Sequence, residues 1–259
     1  MKLTAAEMLF AEAGTLEERF ILCKKCGFDG IDIRDNIDNV TEILRWKDRH
    51  DVAVGMVYSA LPLPLLSKTV HQRAAALEIL TCRIVNAAAI GAYGVIIVPI
   101  FGAPRLAGQY LSTEELELAV LEAMLAELQP ILEKTAVKLL IEPLNRRETH
   151  LFYSPLQTAV YVRQLKLSGV ATMADTYHMH MEVQDMGKEL KEASDQLGHV
   201  HLSGPARSLP GVGEIDFANV LRVLKSIGFE QMAGFECRAS STREIEDSVR
   251  FIRACLEAM

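Results

Sequence analysis

Nothing in this 259-residue chain concentrates positive charge: its lysines and arginines are scattered, the formal net charge is -7 and the pI is near 5.6. Such a surface offers no electrostatic footprint to nucleic acid or to an anionic membrane, which leaves small or neutral molecules as the partners to consider. The chain also lacks a Gly/Ser linker, a low-complexity tract or a break in composition, so one domain over residues 1–259 is the simplest organisation. Cysteine is scarce and odd in number. The five residues Cys23, Cys26, Cys82, Cys237 and Cys255 do not suggest a disulfide framework. The opening MKLTAAEMLFAEAG places acids where a secretory leader needs an apolar core, so a cytoplasmic location is expected. Cys23 and Cys26 form a CxxC, but they sit inside the helical pattern LEERFILCKKCGF with no second Cys or His pair at zinc spacing. They read as small buried helix residues.

Long apolar runs are nearly absent too. Ile84 to Pro104 contains 21 residues without a charge, which on length alone reaches a membrane span. Gly91, Gly94, Pro99 and Gly102 interrupt it, and Asn86 lies within it. NAAAIGAYG followed by VIIVPI reads instead as a helix end, a glycine turn and a buried strand.

What is present is alternation. Half the residues are hydrophobic, enough for a sizeable core. Short apolar, β-branched runs alternate with longer amphipathic stretches: LTAAEMLF with a helix over residues 16–26, GIDIR with 40–49, VAVGMVYS with 69–89, VIIVPI with 113–134. VKLLIEP then precedes 155–167, VATMADT 181–196, HVHLS 217–227 and MAGFECR 242–259. Helix starts are marked by Ser112-Thr113-Glu114-Glu115 and Ser154-Pro155, and two helix ends by Gly27-Phe28 and Gly228-Phe229. Eight strand–helix units require a parallel sheet and match a closed (β/α)8 TIM barrel better than an open one. The absence of G-x-G-x-x-G after the first strand removes the commonest reason for the open sheet. The apolar loop ALPLPLLS, Ala60 to Ser67, reads equally as a lid, a subunit contact or buried packing.

In such a barrel, chemistry belongs at the C-terminal ends of the strands. The fifth strand ends at Glu142, the sixth at Asp175, the seventh at His201 and the eighth at Glu236, at intervals of 33, 26 and 35 residues, each about one unit. Neighbouring strands therefore bring these four groups into one space. Two glutamates, an aspartate and an imidazole form an oxygen-rich set that suits a divalent ion such as Mn²⁺, Mg²⁺ or Co²⁺, with Zn²⁺ less favoured in the absence of thiolates. Residues two apart on a strand share a face, so His199 points inward with His201, and a hydrogen-bonded position deeper in the barrel is expected for it. Three polar groups follow these ends: Glu148 six residues past Glu142, His178 three past Asp175 and Arg207 six past His201.

EPLNRRET (residues 142–149), DTYHMHME (175–182), HVHLSGPAR with GVGEIDF (199–217) and GFECR (234–238) resemble the ketose 3-epimerases, the D-tagatose, D-psicose and L-ribulose 3-epimerases, within the xylose-isomerase-like barrels. The resemblance implies that Glu142, Asp175, His201 and Glu236 hold a divalent metal, usually Mn²⁺, and that Glu142 and Glu236 are also the catalytic acid/base pair. It further implies that Glu148, His178 and Arg207 bind the O1 and O2 end of the sugar. The chain departs from the pattern at Ser203-Gly204-Pro205-Ala206, where Gly-Glu-x-Asn is common, and at His180, where asparagine is common. Both departures fall on the substrate rim.

The implied activity is C3 epimerisation of a free ketose, with proton removal beside the C2 carbonyl and return to the opposite face through an enediolate. Two bases serve this best, and a metal that polarises O2 and O3 makes the proton acidic enough. The competing readings are an inosose or hydroxypyruvate isomerase or dehydratase with the same metal corner, an apurinic-site endonuclease, and a metal- and sugar-binding barrel without catalysis. No Asp-x-His pair follows His201, and the acidic charge also disfavours the endonuclease. A small-molecule sugar is the expected partner, with neither nucleic acid nor membrane, and a homo-oligomer is left open.

Overall fold

Eight parallel strands close on themselves in chain order in the computed structural model, which describes residues 1–34 and 36–259. The strands are β1 (Lys2–Ala6), β2 (Gly30–Ile33), β3 (Ala53–Tyr58), β4 (Gly94–Ile97), β5 (Lys138–Ile141), β6 (Val170–Asp175), β7 (Leu197–His201) and β8 (Met232–Phe235), with β1 paired to β8. Around them lie α1 (Leu16–Lys25), α2 (Val40–His50), α3 (Val70–Ile90), α4 (Thr113–Thr135), α5 (Pro155–Leu165), α6 (Thr176–Glu182), α7 (Met186–Glu192), α8 (Phe217–Ser226) and α9 (Thr242–Glu257). The expected (β/α)8 barrel is therefore the fold.

Local chemistry fixes most helix starts. Thr15, Thr69 and Ser112 each close a reciprocal capping box with Glu18, Gln72 and Glu115, and Ser154 caps α5 with Pro155 in its first turn. The uncharged run splits as its glycines require: α3 ends at Gly91, which takes φ 72°, and β4 stops short of Pro99. Among the described residues, no helix is long and apolar enough to cross a membrane. Cys23 and Cys26 are buried beside α1 and free, and the Cys23 thiol donates to the Gly30 carbonyl at 3.1 Å.

Two expected elements differ. The first strand stops at Ala6, and Glu7–Phe10 form a 3₁₀ turn. Glu7 turns its carboxylate into the fold, where it accepts the Arg34 N–H at 2.7 Å and pairs with Arg19 at 2.6 Å. The helix expected over 181–196 instead begins at Thr176, capped by Asp175, breaks at Val183 and restarts as α7 behind Asp185, which accepts the Lys188 N–H at 3.0 Å. In the second case the capping carboxylates of Asp175 and Asp185 override the apolar periodicity.

The core has two layers. Residues such as Val57, Ile97, Ile141 and Val200 pack outward against Phe20, Leu80, Leu125 and Leu221 of the helices. Ala6, Met56, Tyr58, Ile96, Leu140 and Met173 fill the barrel itself. One irregularity matters for the site. Ile31 pairs with Val54 but Ile33 pairs with Val57, so two residues of β3, Gly55 and Met56, stand opposite Asp32 alone. This is a bulge. Its spare Met56 N–H donates to Asp32 Oδ1 at 2.8 Å, while Thr4 Oγ1 donates to Oδ2 at 2.7 Å. Glycine is required at 55, because a Cβ there would lie 2.4 Å from Asp32 Oδ1.

Candidate active site

The four strand-end side chains converge. Glu142 follows β5, and its N–H continues the ladder to the Ile97 carbonyl at 2.9 Å; Asp175 and His201 are the last residues of β6 and β7; Glu236 follows β8. One ligand atom from each lies within 4.8 Å of those of the other three. His201 Nδ1 stands 3.3 Å from Glu236 Oε2, 3.5 Å from Asp175 Oδ2 and 3.7 Å from Glu142 Oε1. Ligand bonds of about 2.1 Å imply ligand–ligand edges of roughly 3 to 3.5 Å, so this spacing suits a small divalent ion. The satisfaction of the atoms points the same way: Glu142 Oε1, Glu236 Oε2 and His201 Nδ1 are buried without a hydrogen-bond partner of good geometry. Buried polar atoms left unpaired are costly unless a ligand completes them, and these residues fit a metal ion. The capping bond that starts α6 uses Asp175 Oδ1, to Tyr177 N at 2.8 Å, and so leaves Oδ2 for the centre.

Three carboxylates gathered in one buried corner demand positive charge. Burial alone would lower the His201 pKa, but Glu236, Asp175 and Glu142 together raise it well above the usual imidazole range. Burial likewise pushes Asp175 up, yet the Arg207 guanidinium and the His201 and His178 rings hold it well below the usual carboxylate range. Arg207 pairs directly with Asp175 and lies 2.9 Å from Glu236 Oε2. Its backbone is unusual, because Ala206 and Arg207 take φ of 55° and 61°, left-handed values that non-glycine residues adopt at a cost. The departure at Ser203–Ala206 is thus a tight turn that aims an arginine at the carboxylates.

The loop groups form a network around His178. Asn145 Nδ2 donates to Glu148 Oε1 at 2.7 Å and its Oδ1 accepts the Arg147 N–H at 3.0 Å, which fixes the amide. The Asn145 backbone N–H donates to His178 Nδ1 at 3.2 Å, and Arg207 Nη2, which can only donate, lies 2.9 Å from His178 Nε2. The imidazole is thus held between the loop after β5 and the guanidinium. Asn145 fixes the loop; Arg146, though largely exposed, ties it to Glu182 at 3.1 Å, while the side chain of Arg147 is exposed.

A cavity of about 680 Å³ opens above the centre, lined by Glu142, Glu148, His178, Arg207 and Glu236 on one side. Tyr58, Leu61, Pro62, Ile96, Val98 and Phe101 line the other. The expected site residues are therefore together, with Asp175 and His201 buried behind the wall. The front of the Ala60–Ser67 loop belongs to this wall, while Leu65 and Leu66 are fully buried packing. A groove of about 720 Å³ near α8 and α9 is larger, but apolar residues dominate its lining and it holds no carboxylate–imidazole group. His180 does not reach the cavity and instead faces Glu214 at 3.2 Å.

Sequence reasoning missed Tyr58, Arg34, Phe101 and Arg105, which reach the cavity from β3 and the loops after β2 and β4. Tyr58 carried a signal, a polar end on an apolar strand, but its facing depends on the bulge. His199 is deep in the barrel as expected, yet neither ring nitrogen has a good hydrogen bond and the Met232 backbone offers only a weak contact. Burial and the neighbouring His201 lower its pKa well below the usual range, so it is neutral. Asp32, His199 and His201 also group closely, but both Asp32 oxygens are already engaged by Thr4 and Met56.

The profile for xylose isomerase-like TIM barrels matches residues 20–255. The chain is 28% identical over 131 residues to 3-dehydro-D-guloside 4-epimerase of Escherichia coli (strain K12), covering 49% of this chain and 50% of that protein. It is 33% identical over 112 residues to D-psicose 3-epimerase of Enterocloster bolteae, covering 43% of this chain and 37% of that protein. The matches thus span half or less of the length of these curated relatives. In fold the likeness is complete: the crystal structure of 3-keto-D-glucoside 4-epimerase from E. coli aligns with a TM-score of 0.90 at 23% identity, over 98% of this chain and 100% of that one. With a closed barrel, a four-residue strand-end centre and a family match over most of its length, the chain belongs to the xylose isomerase-like TIM barrels.

Proposed function

We propose that the protein is a divalent-metal-dependent epimerase that inverts C3 of a free ketose. The observation that carries this reading is the convergence of two glutamates, Glu142 and Glu236, with Asp175 and His201 in a single group within 4.8 Å. An ion held by these four residues, with Mn²⁺ the first choice, supplies Lewis-acid polarisation of the substrate carbonyl. One glutamate takes the proton from the carbon beside that carbonyl, and the other returns a proton to the opposite face. Arg207, oriented by its contact with His178 Nε2, donates to the oxygen on which charge develops, and Glu148, held by Asn145, accepts from a neighbouring hydroxyl. The apolar wall from β3 and β4 keeps water from the reacting carbon.

A second reading keeps this chemistry and moves it by one carbon, to C4 of a 3-keto-glycoside. The likeness to the E. coli 3-dehydro-D-guloside 4-epimerase favours it, as does a cavity of about 680 Å³ with one apolar side. Incubating the metal-loaded protein with D-fructose, D-tagatose, D-psicose, L-ribulose and a 3-keto-glucoside, and separating epimers by chromatography, decides between the two. Turnover of an inosose with no change in any ketose would sink both.

Arg207→Ala should lower kcat/KM about 10- to 100-fold, the value of a charge-assisted hydrogen bond, with metal content unchanged by elemental analysis. Loss of the ion from this variant would reassign Arg207 to holding the carboxylates in place.

A further inference from the structure

His201 is the imidazole of the proposed centre, and its orientation is set from the side away from the carboxylates. Nδ1 faces Glu142, Asp175 and Glu236. An imidazole that gives Nδ1 to an ion keeps its proton on Nε2, and a partner for that proton fixes both tautomer and ring rotation. Tyr58 Oη lies 3.2 Å from Nε2, and the two rings stack with centroids 5.8 Å apart and planes 25° from parallel. His199 meets the same ring edge-on at 5.0 Å but makes no good hydrogen bond, so it limits the space without fixing the proton.

Tyr58 faces His201 because of the β3 bulge. Val54 packs outward, and simple alternation would carry residues 56 and 58 outward as well. The extra residue opposite Asp32 shifts the phase, so Val57 packs outward while Met56 and Tyr58 turn into the barrel. Asp32 holds the bulge through the Met56 N–H, and Gly55 gives it room.

We infer that Tyr58 is a positioning residue for metal ligation: its hydroxyl oxygen accepts the Nε2 proton of His201 and so presents Nδ1 to the ion. This inference rests on the metal-centre reading of Glu142, Asp175, His201 and Glu236. Tyr58→Phe keeps the stacked ring and removes only the oxygen. In competition with a fluorescent chelator, the variant should bind Mn²⁺ about 10- to 100-fold more weakly than the parent, the usual cost of losing the outer partner of a ligating histidine. The metal-free variant should unfold at a somewhat lower temperature, because His201 Nε2 loses its partner; a merely structural tyrosine would give that loss and leave ion affinity alone. In Zn²⁺-loaded parent protein, ¹⁵N–¹H correlation spectra should place the His201 proton on Nε2. Equal Mn²⁺ affinity in parent and variant, or a His201 proton on Nδ1, overturns the role of Tyr58 and leaves the metal centre standing. A parent protein that holds no divalent ion overturns both.

Discussion

Glu142→Gln and Glu236→Gln should each lose turnover by about 10²–10⁴-fold, the usual contribution of a positioned acid or base, while the protein stays folded. Glutamine keeps the shape of the side chain, and Glu142 Oε1 and Glu236 Oε2 have no well-formed hydrogen bond to lose. Each change also lightens a corner where Glu142, Asp175 and Glu236 crowd around His201 and Arg207, so the metal-free variants should be no less stable than the parent. Both residues are proposed ligands as well as proposed bases, so rates belong at saturating Mn²⁺, with bound ion measured in the same samples. A variant that holds its ion but turns over at less than a hundredth of the parent rate has lost a base. More than about a tenth of parent activity in either would make the two-base scheme wrong. Solvent-proton exchange into the substrate separates the two roles further, because a variant that still removes the proton but cannot return it on the other face exchanges without epimerising.

The centre was legible because a parallel barrel turns sequence spacing into spatial register. Glu142, Asp175, His201 and Glu236 recur at intervals of about one strand–helix unit, and closure of β1 on β8 makes such intervals neighbours. The inward facing of His199 and His201 followed from the two-residue period of a strand, which β7 keeps from His199 to His201, past the register shift at Gly198. What failed to show in the sequence was whatever breaks that period. Tyr58 lies on β3, where the bulge at Gly55–Met56 shifts the phase; Gly55, alone in the apolar strand VAVGMVYS, was the one signal of it and went unread. The early start of α6 was hidden for a related reason. Asp175 serves both as helix cap and as proposed ligand, with one carboxylate oxygen in each task, while the apolar pattern that announces a helix begins later. Arg34, Phe101 and Arg105 come from loops whose course depends on tertiary contacts, such as the buried Glu117 carboxylate that accepts the Arg105 N–H at 2.9 Å. Strand ends carry their positions in the sequence; loops borrow theirs from partners far along the chain.

Asp32→Asn should stabilise the metal-free protein near neutral pH. The Asp32 carboxyl is fully buried, and burial pushes its pKa up to about 6, against a smaller downward pull from Thr4, His201 and the Met56 N–H. In the unfolded chain the same group titrates near 3.9. Between about pH 4 and 6 the folded protein therefore binds a proton that the unfolded chain has released, so stability falls as pH rises through that window. Below the window the group costs nothing; above it, the buried charge costs about 3 kcal/mol, the two-unit difference at 1.36 kcal/mol per unit. Asparagine carries no charge at any pH. Its oxygen still accepts the Met56 N–H, and its amide can donate to Thr4 Oγ1, so the bulge should survive. Chemical denaturation of parent and variant should give curves that coincide near pH 4 and separate by up to about 3 kcal/mol in the variant's favour by pH 7.5. A loss of stability of the same size at every pH would mean that asparagine cannot hold the spare N–H of the bulge. The carboxylate at position 32 would then be a requirement of the fold, and the facing of Tyr58 would depend on its negative charge.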